Sequence, residues 1–218
     1  MKDKVLVAMS GGVDSSVALL KIIEMGYDAI GVTMKLWEYR DVGGNLLADS
    51  NCCSVGAINN AKLVCDRMDV PHYTLDFTDV FQKNVVDNFA NEYLNGRTPN
   101  PCVRCNDWLK FGRLHEYARS IDAEFVASGH HAQIIEGDDG PQLHMGADDS
   151  KDQSYVLFGA SRERIAEMIL PIGHLQKSDV RELAKEFDLP VFDKPDSQDI
   201  CFVPDDDYAG MIERRSPG

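Results

Sequence analysis

The sequence predicts an α/β fold, a doubly wound parallel sheet with an added β-hairpin, and three observations predict it. Short apolar runs rich in strand formers alternate with helix-length segments from residue 1 to about 130, the pattern of a parallel sheet covered by crossover helices. The segments between those runs carry apolar residues at helical spacing. Beyond them, "HAQIIEGDDGPQLHMGA" reads as two extended runs around the turn "GDDG".

Taken in order, "KVLVAM" is a first strand and "AIGVTMKL" at 29–36 a second, joined by a helix that Gly26 ends. Residues 54–69 place Ile58, Ala61, Cys65 and Met68 on one helical stripe and lead to a third strand, "HYTLDF", at 72–77. A helix from about Val80 to Asn95 stops before "GRTPNP", whose prolines forbid continuation. The next helix, "NDWLKFGRLHEYARSID", starts after Cys105 and runs into the strand "FVASG". After the hairpin, helices are expected near 161–170 and 178–188, the second capped by Ser178. Residues 39–51, "YRDVGGNLLADSN", are the expected flexible loop, and after Pro190 the chain turns short, acidic and proline-punctuated.

With 218 residues and 44% hydrophobic content the chain can bury one substantial core, so one domain is expected, with the start of another. No run approaches the ~18 uninterrupted apolar residues of a membrane span, and "MKDKVLVAMSGG" lacks the features of a secretory signal. A cytoplasmic protein without a membrane partner is expected. In a reducing cytosol the six cysteines, Cys52, Cys53, Cys65, Cys102, Cys105 and Cys201, read as catalytic, metal-binding or core thiols rather than disulfides. The formal charge of −14 argues against generic adhesion to nucleic acid but leaves room for a local basic patch.

Ser10-Gly11-Gly12-Val13-Asp14-Ser15-Ser16 lies between a strand and a helix, where backbone N–H groups, hydroxyls and a helix N-terminus converge on an anion. This is a phosphate cradle, against the simpler reading of a glycine turn with Ser15 capping the helix. The common P-loop needs GxxxxGK[ST], and neither the spacing nor the lysine is present, so nothing in the loop meets a departing γ-phosphate. Asp14 beside phosphates calls for a role in holding Mg²⁺ or orienting the loop hydroxyls.

A second site is "TPNPCVRCNDWLKFG", with Cys102 and Cys105 at CxxC spacing. A following helix and Arg104 would lower the pKa of such thiols. Half a zinc site, a redox pair and unreactive loop cysteines compete with reactive thiolates here. Four-cysteine zinc is disfavoured because no second CxxC exists. Cys201 in "DSQDICFVP" is, on its own, a buried inert thiol.

The stretch SGGVDSS resembles the signature of PP-loop ATP pyrophosphatases, which cleave ATP between the α- and β-phosphates and adenylate a substrate oxygen. Together with "NPCVRCN…KFG", "ASGHHA", "KDQSYVL" and "DSQDICF", in this order and spacing, the chain resembles the bacterial tRNA-specific 2-thiouridylases, which replace O2 of the wobble uridine with sulfur. The resemblance implies a PP-loop, Rossmann-like sheet and an ATP site at Ala8, Met9, Ser10, Gly11, Gly12, Val13, Asp14 and Ser15, with Met34 and Gly129, and Mg²⁺ alongside. It implies that Asn100, Pro101 and Cys102 face the target base and that His130, Lys151, Asp152 and Gln153 touch the tRNA. It assigns the persulfide sulfur to Cys201 and the partner nucleophile to Cys105.

The implied partners are the wobble-uridine tRNAs for Lys, Glu and Gln and a sulfur donor, a cysteine desulfurase or relay protein. Many members of the family have aspartate at the position of Cys102. With a third thiol present, Cys102, Cys105 and Cys201 offer the ligands of a [4Fe-4S] cluster, as in iron–sulfur tRNA thiolases of the PP-loop group, which is the competing enzyme reading. Family members continue into a central domain and a β-barrel, so residues 1–200 are expected to be the ATP-binding catalytic domain and 201–218 the start of the truncated central one. A truncated ATP-binding module without turnover is the reading of a different class.

Overall fold

The computed structural model describes residues 2–37, 55–196, 200–203 and 207–215. The expected loop at 39–51 and the pair Cys52 and Cys53 lie outside the described residues. The sheet consists of β1 (Lys4–Ala8), β2 (Asp28–Lys35), β3 (His72–Asp76), β4 (Phe125–Ser128) and β7 (Met168–Ile169), in the order β3-β2-β1-β4-β7 with every pairing parallel. Between β4 and β7, β5 (Ala132–Gly137) and β6 (Gly140–Met145) pair antiparallel around Asp138 and Asp139 as the expected hairpin.

Successive strand residues face opposite sides, and here both sides are covered. Val5 and Val7 enter one apolar cluster with Val17, Leu19 and Ile22 of α1 (Val13–Glu24), Ala61 and Val64 of α2 (Val55–Arg67), and Val180 and Ala184 of α6 (Lys177–Glu186). Leu6 enters the other with Phe81, Phe89, Leu109 and Phe111, which come from α3 (residues 78–94) and α4 (residues 101–120). Helices on both faces make the sheet doubly wound.

The winding reverses between β1 and β4: the chain builds outward from β1 through β2 to β3, then returns to lay β4 on the free side of β1. In open α/β sheets that reversal opens a crevice at the carboxyl ends of the strands, where ligands bind. β1 ends there in Ala8 and β4 in Ser128, one residue before Gly129.

Four local expectations are corrected. Helix α3 ends at Leu94 with Asn95 as its C-cap, and Gly96, whose φ of +71° suits glycine after a helix end, turns the chain before the prolines act. Pro101 starts α4 instead of preventing a helix, because proline lacks only an N–H that a first helical residue leaves unused. Asn100 caps it, its Oδ1 accepting from the N–H groups of Cys102 at 3.0 Å and Val103 at 3.3 Å. Residues 161–170 divide into a short helix α5 (Arg162–Ala166) and the edge strand β7. Finally, α6 starts at Lys177 with Gln176 as its cap, and Ser178 lies inside it.

Candidate active site

The glycine turn carries β1 into α1. Gly11 takes φ +68°, and a Cβ on it would lie 2.1 Å from the Ala57 carbonyl oxygen. Gly12, not Ser15, is the N-cap of α1, and no side chain caps that end, so the first N–H groups of the helix face the crevice. The Ser15 hydroxyl is built into the loop: it accepts from the Ser10 N–H at 3.2 Å and the Ser10 hydroxyl at 3.1 Å, and donates to the Gly12 carbonyl at 3.1 Å. Gly129 closes the other wall, where a Cβ would stand 2.5 Å from the carbonyl carbon of Asp14. Met34 lies buried near the carboxyl end of β2.

Asp14 is the first acidic residue of α1, and its Oδ1 accepts from Lys177 Nζ at 2.6 Å and faces His131 Nε2 at 3.3 Å. Burial raises its pKa, but the hydrogen bond to His131 and the charge of Lys177 outweigh burial and hold it below the usual carboxylate value. The Asp14 carboxylate is therefore ion-paired, and its charge is offset within the protein. Lys177 is buried and also reaches Asp196 Oδ1 at 2.9 Å. Asp196 further binds Lys151 Nζ at 2.8 Å and Arg181 at 2.9 Å, while Lys194 Nζ donates to the Gly11 carbonyl at 3.1 Å. This cluster ties the glycine loop to the segment that leads to Cys201.

The cysteines lie on α4 and in the C-terminal segment. Cys102 is exposed in the first turn of α4; Cys105 is half-buried and begins a π-helical stretch, Cys105–Arg113. Both thiols thus sit within the helix and not before it. The guanidinium of Arg104 stacks 5.3 Å over the ring of Trp108. Cys201 occupies a turn closed by the Val203 N–H on the Ile200 carbonyl at 2.9 Å. Phe202 anchors that turn, with ring centroids 5.3 Å from Phe89 and 5.7 Å from Phe81. Cys105 and Cys201 border the same apolar cluster. Cys65, in contrast, is a core thiol whose burial, with Asp66 beside it, pushes its pKa up to about 12.

The family described as tRNA methyl transferase HUP domain matches residues 3–205. The chain belongs to this family. Among curated relatives, tRNA-specific 2-thiouridylase MnmA of Carboxydothermus hydrogenoformans is 45% identical over 98% of the chain, that of Clostridium acetobutylicum 43% over 100%, and that of Rhodospirillum centenum 48% over 99%. The chain spans 59%, 61% and 54% of those three proteins.

Among solved structures, NMN synthetase from Francisella tularensis superposes with a TM-score of 0.54 at 18% identity, covering 98% of this chain and 76% of that one. The U34-tRNA thiolase NcsA from Methanococcus maripaludis with its [4Fe-4S] cluster gives 0.54 at 19%, covering 100% and 68%. These likenesses carry the fold alone, an α/β sheet.

Within this HUP domain the expected tRNA-facing residues are engaged in the protein's own bonds. The His130 ring is buried against Phe111 and shares a 2.7 Å hydrogen bond with Ser128, and burial lowers its pKa well below the ordinary histidine value. Gln153 bonds the backbone of His131 at both ends, at 3.0 and 2.8 Å. Asp152 accepts from the Gly146 and Ser154 N–H groups, and Lys151 holds Asp196. "KDQ" thus joins the hairpin, the His131 strand end and the Cys201 segment.

Among the described residues no group of three or more His, Cys, Asp or Glu side chains is arranged to hold a metal ion. No described helix is long and apolar enough to cross a membrane. Sequence reasoning missed Lys177, Arg181, Lys194 and Asp196. Asp196 opens the motif "DSQDICF", where the resemblance gives it no role, and the others have as local signal only the lysine–acid alternations "QKSD" and "DKPD".

Proposed function

We propose that this HUP domain is the ATP-binding and thiol-bearing part of a tRNA-uridine 2-sulfurtransferase, which adenylates O2 of the wobble uridine and replaces that oxygen with sulfur. The observation that carries the reading is the pairing of a phosphate cradle at the switch point with Cys105 and Cys201 on the border of one apolar cluster. Relatives 43–48% identical that bear the name tRNA-specific 2-thiouridylase support it.

In this reading residues 8–15, Met34 and Gly129 hold ATP, which arrives with Mg²⁺ on its phosphates. Asn100, Pro101 and Cys102 meet the target base, and His130, Lys151, Asp152 and Gln153 lie under the bound tRNA. The uridine O2 attacks the α-phosphorus, and pyrophosphate departs. The terminal sulfur of a Cys201 persulfide attacks C2, and AMP leaves with the oxygen. The Cys105 thiolate then attacks Cys201 Sγ, breaking the S–S bond, so that sulfur stays on C2 and a Cys105–Cys201 disulfide forms. A thiol reductant restores both thiols. The sulfur comes from a cysteine desulfurase or relay protein, the substrates are wobble-uridine tRNAs for Lys, Glu and Gln, and the setting is the cytoplasm.

The test is thiolation of such a tRNA with ATP, Mg²⁺, cysteine and a cysteine desulfurase, using anaerobically purified protein analysed for iron and sulfide. 2-Thiouridine should form without bound iron. Cys105→Ala and Cys201→Ala should each abolish it while retaining ATP binding, and Cys102→Ala should retain both. Thiolation that survives loss of Cys201, or that requires stoichiometric iron and all three thiols, overturns the persulfide route.

A further inference from the structure

The glycine loop contains no lysine, yet an ammonium stands at its mouth. Lys177 comes from the first turn of α6, and its Nζ lies 2.6 Å from the Oδ1 of Asp14, a residue in the first turn of α1. A lysine ammonium has three donors and no acceptor. Lys177 directs it at two carboxylates, Asp14 of α1 and Asp196 of the C-terminal segment, 163 positions before it and 19 after it in the sequence. Its burial is unusual for a lysine, a residue type that is almost never buried unless paired.

The surroundings are cationic in an acidic chain. Lys151, Lys177 and Arg181 hold Asp196, Lys177 also holds Asp14, Lys194 donates to the Gly11 carbonyl, and Asp148 accepts the Lys177 backbone N–H at 3.0 Å. These cations, beside helix N–H groups that no side chain caps, favour a polyanion. Asp14 alone would repel one.

We propose that Lys177 is a phosphate-binding residue: it supplies from the C-terminal half the cation that the glycine loop lacks, and Asp196 is the carboxylate that competes with the phosphates for it. This rests on the reading of residues 8–15 as an ATP site. When the triphosphate enters, the ammonium keeps Asp14 and exchanges Asp196 for a phosphate oxygen. In this proposal Lys177, held at the first turn of α1, meets the β- and γ-phosphates and so distinguishes ATP from AMP.

The experiment is calorimetric titration of the full chain with Mg·ATP and, separately, with AMP, for wild type, Lys177→Met, Asp196→Asn and the double variant. Lys177→Met should weaken ATP binding at least tenfold and leave AMP within twofold, while Asp196→Asn should tighten ATP. The double variant also removes the competing Asp196 carboxylate, which Lys151 and Arg181 still hold in Lys177→Met, and should show the same loss of ATP-over-AMP preference with wild-type-like circular dichroism. Equal weakening of ATP and AMP, no weakening of either, or weaker ATP binding in Asp196→Asn overturns the proposal while leaving the ATP site intact. A wild type that binds neither nucleotide overturns the ATP site itself, and this inference with it.

Discussion

Replacing Gly129 with alanine should damage the protein more than replacing Gly12, although Gly12 belongs to the more conspicuous motif. A Cβ on Gly129 would lie 2.5 Å from the carbonyl carbon of Asp14, 2.6 Å from the Ser15 nitrogen and 2.7 Å from the Asp14 oxygen. Ordinary carbon contacts are about 3.5–4.0 Å, so α1 and the end of β4 would have to separate by about 1 Å. The obstructing atoms are backbone, which cannot swing aside as a side chain would. Overpacking costs about 1–3 kcal/mol in general, and a clash with a helix's first turn belongs at the upper end, about 3 kcal/mol. The same displacement misaligns the N–H groups of the cradle, and misplacement of about 1 Å can cost ~100-fold in function.

At Gly12 the nearest atom to a Cβ is the Ser10 hydroxyl at 3.5 Å, an ordinary contact, and its φ of −105° suits any residue. Gly12→Ala at this N-cap should cost about 1 kcal/mol or less. Urea unfolding followed by circular dichroism, with ATP titration of each variant, measures both effects. Gly129→Ala within about 0.5 kcal/mol of wild type, with unchanged ATP affinity, would refute the close-approach argument.

Burial raises the Asp196 carboxyl pKa, but hydrogen bonds from Lys151 and Lys177 and their charges bring it down from 3.8 to about 2. A depressed carboxylate pKa stabilises the fold above pH 3.8, and this stabilisation is lost as pH falls toward 2. At about 1.4 kcal/mol per pKa unit, less screening at a side chain that is 22% exposed, about 1–2 kcal/mol is involved. Asp196→Asn should lower stability at pH 7 by about that amount and flatten the acid limb; an unchanged acid limb would refute it. Phe202→Ala should cost about 3 kcal/mol by emptying the space against Phe81 and Phe89, and should speed alkylation of Cys201 but not Cys102. Stability within about 1 kcal/mol of wild type in guanidinium would show that the Phe202 anchor is not what holds the turn.

The sheet was legible because its strands are apolar runs with little else to be: Val5, Leu6 and Val7 have no polar face to hide. β7 escaped because it pairs through only two residues, Met168 and Ile169, too few for any periodicity to register. The start of α4 was misjudged because proline has two meanings. It breaks a helix interior and opens a helix start, and only the Asn100 carboxamide on the Cys102 and Val103 N–H groups decides between them here. That choice moves Cys102 and Cys105 from a loop onto a helix.

In the site, what could be read was whatever consecutive residues do with their own backbone. A glycine turn that opens a helix makes its cradle from local N–H groups, so SGGVDSS declares it without help. An ion cluster has no such signature: Lys177 and Asp14 meet across 163 positions of sequence, and Lys194 and Gly11 across 183. The formal charge of −14 pointed away from anionic partners, but it is an average over the whole chain. At the glycine loop itself the fold sets Lys177 on Asp14 and Lys194 on the Gly11 carbonyl, with Lys151 and Arg181 one ion pair further out on Asp196. Coulomb interactions between exposed charges are largely screened beyond ~8–10 Å at physiological salt. The local arrangement, rather than the sum over distant acidic residues, therefore sets the field that a phosphate meets at this loop.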